Sequence, residues 1–145
     1  MTVTFCGHGD TPDTPQLRQW LQSAITVQIQ NGATQFYLGG YGQFDAIAAS
    51  TVWSIKKDYP WIRSVLVLAY LSQKHIPAHY DDTIYPPLEN VPKQLAILRR
   101  NQWMVDSSDV VISCVHRAWG GAAQTCQYAK RKGKMVLNYT REWFM

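Results

Sequence analysis

The chain is poor in cysteine, and the three it has, Cys6, Cys114 and Cys126, are an odd number with no Cys-x-x-Cys pair among them. That excludes a disulfide framework and a paired-thiol redox motif. It leaves free thiols in a reducing compartment, so the expected address is cytoplasmic. Long apolar runs are also missing. The longest uncharged one, from Ser64 to Leu71, is far short of the roughly 20 residues that cross a bilayer, and no basic segment followed by an apolar run opens the chain. The expectation is a soluble, unexported protein with no membrane partner. Neither Gly-x-Gly-x-x-Gly nor Gly-x-x-x-x-Gly-Lys-Ser/Thr occurs, which disfavours the usual dinucleotide and triphosphate loops and gives no cofactor to expect. Charged residues are only 17% of the 145, against 46% hydrophobic. This balance excludes a disordered chain and supplies the core of one domain over residues 1–145.

The formal charge of +4 is unevenly spread. Residues 1–90 carry five Lys/Arg against seven Asp/Glu, and residues 91–145 carry nine against three, so the two parts stand at −2 and +6. Lys130, Arg131, Lys132 and Lys134 supply much of the excess. Such a cluster reads first as a solvated helix face and second as a patch for an anionic partner.

Apolar periodicity alternates between 2 and 3.6, the mark of a layered α/β domain. Val3 to Phe5 reads as a strand. Thr14 then caps a helix carrying Pro15 in its first turn and a buried stripe of Leu17, Trp20, Leu21, Ala24, Ile25 and Ile29, ended by Asn31-Gly32. Gln35 to Leu38 is the second strand, followed by a helix with Phe44, Ile47, Ala48, Val52 and Ile55 on one face. Ser64 to Leu71 is a continuous apolar strand of the kind covered on both sides. Residues 72–91, with their prolines, read as a long loop. The segment from Pro92 to Asp106 is helical by the spacing of Leu95, Leu98, Gln102 and Val105. A fourth strand from Asp109 to Val115, a helix from Gly120-Gly121 through Arg131 and a fifth strand from Met135 to Tyr139 follow. Five strands joined by helical crossovers predict a mainly parallel sheet of order 3-2-1-4-5 in a three-layer sandwich. The loops after strands one, two and four should then meet at the switch point, where ligands of open α/β sheets bind.

Those loops are rich in glycine, as Cys6-Gly7-His8-Gly9, Gly39-Gly40-Tyr41-Gly42 and Gly120-Gly121-Ala122-Ala123. Glycine permits close backbone approach, and a helix that starts there aims amides at an anion. Tight-turn geometry alone accounts for a single Gly-Gly; two converging pairs favour a ligand. Asp45, in a helix first turn, suits the dipole or a ribose hydroxyl. One of Arg99 and Arg100 is placed to turn inward and bind phosphate. Cys6 and His8 with Cys114 and His116 form a possible zinc set at two neighbouring strand ends, although buried cysteine is more often simple core.

Four of these segments, Thr4-Phe5-Cys6-Gly7-His8, Leu38 to Asp45, Arg100 to Asp109 and Trp119 to Thr125, resemble the successive motifs of the SLOG superfamily, nearest its YspA/YpsA-like branch of bacterial proteins. The resemblance implies a Rossmann-like domain holding a nucleotide-derived ligand, a tendency to form homo-oligomers, and kinship with the LOG phosphoribohydrolases. The implied ligand-binding residues are Gly7, His8, Gly39, Gly40, Gly42, Asp45, Arg100, Asn101, Gly120, Gly121 and Thr125. Arg100 matches the LOG arginine. Where the LOG motif has its catalytic glutamate the chain has Gln127, which cannot carry the negative charge that hydrolysis uses.

Three functions follow as expectations. The first is a binding or sensor domain for a nucleotide-derived small molecule. The second is an N-glycosidic hydrolase in which Arg100 works with Asp45, Asp82 or Glu89 in place of the missing glutamate. The third is single-stranded nucleic-acid binding, suggested by the +6 segment and by Trp103, Trp119, Tyr128 and Tyr139. It ranks last because periodicity assigns most of those aromatics to packing, so nucleic acid is not the expected partner. The terminal Trp143-Phe144-Met145 is expected to pack on the body or on a second copy.

Overall fold

A computed structural model of the chain describes residues 1–71 and 76–140. The expected packing of Trp143, Phe144 and Met145 lies outside the described residues. The sheet is built from β1 (Thr2–Gly7), β2 (Gln35–Leu38), β3 (Arg63–Val67), β4 (Asp82–Ile84), β5 (Val110–Cys114) and β6 (Met135–Asn138). Every pairing is parallel, in the order β4-β3-β2-β1-β5-β6. The five-stranded expectation is thus corrected to six. The strand that sequence reading missed, β4, is three residues, one exposed and two half-buried, in a proline-rich stretch, too short to show a period. It pairs with β3 and covers an edge that would otherwise be open.

Helices α1 (Pro15–Gln30) and α2 (Gly42–Ile55) cover one face and α3 (Ala96–Asp106) and α4 (Gly121–Arg131) the other. The Thr14 hydroxyl oxygen accepts from the Leu17 amide at 3.1 Å, which fixes the start of α1. Its Leu17, Leu21, Ile25 and Ile29 pack with Phe44, Ile47, Ala48 and Val52 of α2 on Val3, Phe5, Phe36 and Ile112. The opposite face is thinner, with Val105, Cys126 and Ala129 over Cys6 and Val111. The buried stripe of α3 is Ala96, Arg100, Met104 and Val105 rather than the expected Leu95, Leu98 and Gln102. A 3-10 turn over Lys93–Leu95 precedes α3, and Leu95 is left exposed. Among the described residues no helix is long and apolar enough to cross a membrane.

Candidate functional site

The loops after β1, β2 and β5 meet around a cavity of about 300 Å³ at the carboxyl edge of the sheet. Gly7 and His8 reach it from the first loop, Gly42 and Asp45 from the second, and Gly120, Gly121 and Thr125 from the third. Arg100 and Asn101 enter from α3. Of the expected ligand-binding residues only Gly39 and Gly40 stand outside it, lining a neighbouring hollow that Arg100 shares.

Close packing rather than ligand approach explains several of the glycines. A Cβ on Gly7 would lie 2.3 Å from the Phe44 ring, and one on Gly39 would lie 2.7 Å from the Arg100 guanidinium carbon. Gly42 sits at φ +86°, and a Cβ there would lie 2.6 Å from the α carbon of Gly9. The third loop differs. Gly120 caps α4 at φ +97°, no side chain caps that helix, and a Cβ on either Gly120 or Gly121 would meet nothing within 4 Å. The first turn of α4 lines the cavity with Gly120, Gly121 and Ala122, at the positive end of the helix dipole.

Arg100 is 2% exposed. Its Nη1 donates to the carbonyls of Gly39 at 2.8 Å and Val67 at 3.0 Å, and its Nε donates to Asn101 Oδ1 at 2.9 Å. It ties α3 to the ends of β2 and β3. Burial lowers its pKa, and the charge of Asp45 opposes the change. Asp45 receives the Tyr41 amide at 3.3 Å. Burial pushes its pKa up to about 7, against the pull of Arg100 and of the amides of Tyr41, Gly40 and Gly39. The start of α2 is thus closed by its own carboxyl.

On the other side His8 Nε2 accepts from the His116 amide at 3.2 Å, with the two rings edge to face. Burial first, then the charges of Arg117 and His116, lower the His8 pKa, so the ring is held as a neutral acceptor. Arg117, which sequence reading passed over, lines the cavity and forks onto Asp10 at 2.9 and 3.1 Å. Its guanidinium lies 4.5 Å from the centre of the Trp119 ring. Its Nε is buried and has no hydrogen-bond partner among the described residues. Trp119 is 68% exposed and Tyr41 54%, so two open aromatic surfaces flank the cavity. A Trp directly before Gly-Gly was the available signal for the first. No signal marked Tyr41, which sits between glycines.

The remaining candidates are elsewhere. Asp82 lies on β4, 3.7 Å from Arg63, and Glu89 lines a separate hollow with Tyr85 and Lys93. Gln127 is exposed, and Asp45 is the one expected hydrolytic carboxylate at the cavity. The proposed zinc set is not assembled. Cys6 pairs in register with Ser113 and faces Cys126, whereas Cys114 pairs with Gly7 and joins the opposite face, because successive strand residues alternate sides. No group of three or more metal-binding side chains forms among the described residues. Trp103 stacks on Tyr37, Tyr139 is buried against Trp20, and Tyr128 bonds to Asp106. Lys130, Arg131, Lys132 and Lys134 lie at the far end of α4 and the turn beyond it.

No family model matches the chain, and no curated protein matches it in sequence. Solved structures of similar fold include two of DNA processing protein A. One, of DNA processing protein A from Helicobacter pylori, concerns its single-stranded DNA binding mode. It aligns with a TM-score of 0.65 and 18% identity over 95% of this chain. The other, of DNA processing protein A from Streptococcus pneumoniae, aligns with a TM-score of 0.66 and 14% identity over 94% of this chain. The chain spans 64% and 49% of those two chains. At such identity the likeness shows the fold, an α/β arrangement of the Rossmann-like kind. The expected partners are corrected on one point: the first of these proteins binds single-stranded DNA, which conflicts with setting nucleic acid aside, and neither likeness supports the expected small molecule. The physical reason is visible at Trp119, which periodicity could not separate from the packed aromatics.

Proposed function

We propose that the chain binds single-stranded nucleic acid across the cleft at the carboxyl ends of β1, β2 and β5. The observation that carries this reading is Trp119, an open ring backed by the Arg117 guanidinium and placed directly before the uncapped start of α4. Sequence-tolerant strand binding needs an aromatic platform for a base beside a positive groove for the backbone. Trp119 and Tyr41 supply the first. Arg117 and the α4 amides supply the second, and the strand's phosphate competes with Asp10 for the Arg117 fork. The single-stranded DNA binding of the Helicobacter pylori protein of similar fold supports the reading. The nearness to the YspA/YpsA-like branch of SLOG proteins is part of the same proposal and rests on the four motifs.

Fluorescence polarisation of a labelled single-stranded oligothymidylate tests it. Trp119→Ala is expected to weaken binding by about fivefold or more, the loss of one base–aromatic stack. Wild-type protein that fails to bind the strand at low salt, or a Trp119→Ala variant that binds it as tightly, overturns the proposal.

A further inference from the structure

Beyond Tyr41 a second hollow of about 250 Å³ opens, and Tyr41 and Arg100 line both spaces. We propose that this hollow is a pocket for one nucleobase turned out of the bound strand, whose phosphate stays in the first cavity. The inference rests on the single-strand reading and adds to it the place of a base.

The walls are the rings of Tyr41, Tyr70 and Tyr80 with the aliphatic chains of Leu66 and Leu68, and among the described residues no carboxylate lines the space. A cation finds no anionic ligand there. A phosphate finds no free fork, because Arg100 has already committed Nε and Nη1 to Asn101, Gly39 and Val67. A flat, neutral ring with a polar edge meets the opposite situation. Its faces contact phenols and leucines, while its exocyclic oxygens face the remaining guanidinium edge and the Tyr80 hydroxyl. Burial holds Tyr80 protonated, with its pKa pushed up to about 12, so it stays a donor. Tyr41 forms the partition, its ring 5.4 Å from the Arg100 guanidinium carbon, and one nucleotide spans it with the sugar at the ridge.

The test compares a labelled oligothymidylate with an abasic deoxyribose-phosphate strand of the same length, by polarisation. Leu68 is a half-buried wall residue, so Leu68→Trp fills the hollow without entering the main core. The variant is expected to bind the thymidylate strand about fivefold or more weakly and the abasic strand as wild type does. Tyr80→Ala, which removes a wall instead, gives the same selective loss and carries the test if Leu68→Trp does not fold. Variants that bind both strands as wild type does, or that lose both equally, overturn the pocket. Wild-type protein that binds neither strand overturns the single-strand reading itself.

Discussion

At the start of α2 the Asp45 carboxyl exchanges water for backbone amides and the field of Arg100, and burial outweighs both, which lifts its pKa to about 7. An unfolded chain releases that proton near pH ~4. Between those values the folded chain binds more protons, so this group lowers stability as pH rises from about 4 to about 7. His8 works in the other direction: with its pKa lowered, it takes stability away as pH falls below the ordinary histidine range. Asp45→Asn removes the first effect and keeps the second. Its melting temperature is expected to exceed that of wild type at pH 8, by a margin that shrinks as pH falls through 5 toward 4. A variant that melts below wild type at pH 8 would mean that the attraction to Arg100 outweighs burial. The sequence displays Asp45 and the Arg99-Arg100 pair. It does not display which arginine turns inward, because that depends on the carbonyls of Gly39 and Val67, more than thirty residues upstream.

Among the elements, α4 separates the two meanings of Gly-Gly. Gly121 has ordinary φ and open space where a Cβ would go, so Gly121→Ala is expected to stabilise the fold by about 0.4–1 kcal/mol through the unfolded chain. If the strand's backbone approaches there, the same methyl group intrudes on it. Thermal melts with polarisation should then show unchanged or raised stability alongside weakened binding; unimpaired binding would leave Gly121 as turn geometry alone. The core helices were readable because their faces are mostly apolar: Leu17, Leu21, Ile25 and Ile29 in α1, and Phe44, Ile47, Ala48 and Val52 in α2, recur at helical spacing. Helix α3 misled because its stripe passes through a buried arginine, which a reading based on apolar period assigns to solvent. Strand β4 exists through pairing with β3, including the Leu68 amide donating to the Ile84 carbonyl at 2.8 Å, and that information is not local.

For the molecule as a whole, Arg100 and Arg117 bring positive charge to the cleft, but the dense cluster of residues 130–134 lies away from it. Lys130 and Arg131 close α4 and Lys132 follows it, about 16 Å along the axis from Gly121. There they complement the dipole's negative end, and the Lys132 ammonium lies 4.0 Å from Asp106. The topology made the cleft legible, since glycine-rich turns after β1, β2 and β5 had to converge once the sheet was parallel. What fills the cleft was not legible, because Trp119 and Tyr41 differ from the packed aromatics only in exposure. Amide and indole NMR shifts followed while a single-stranded oligonucleotide is added separate the two surfaces most directly. The account predicts perturbations at Tyr41, Arg117, Gly120, Gly121 and the Trp119 indole. Perturbations confined to residues 130–134, with those signals unmoved, would contradict it.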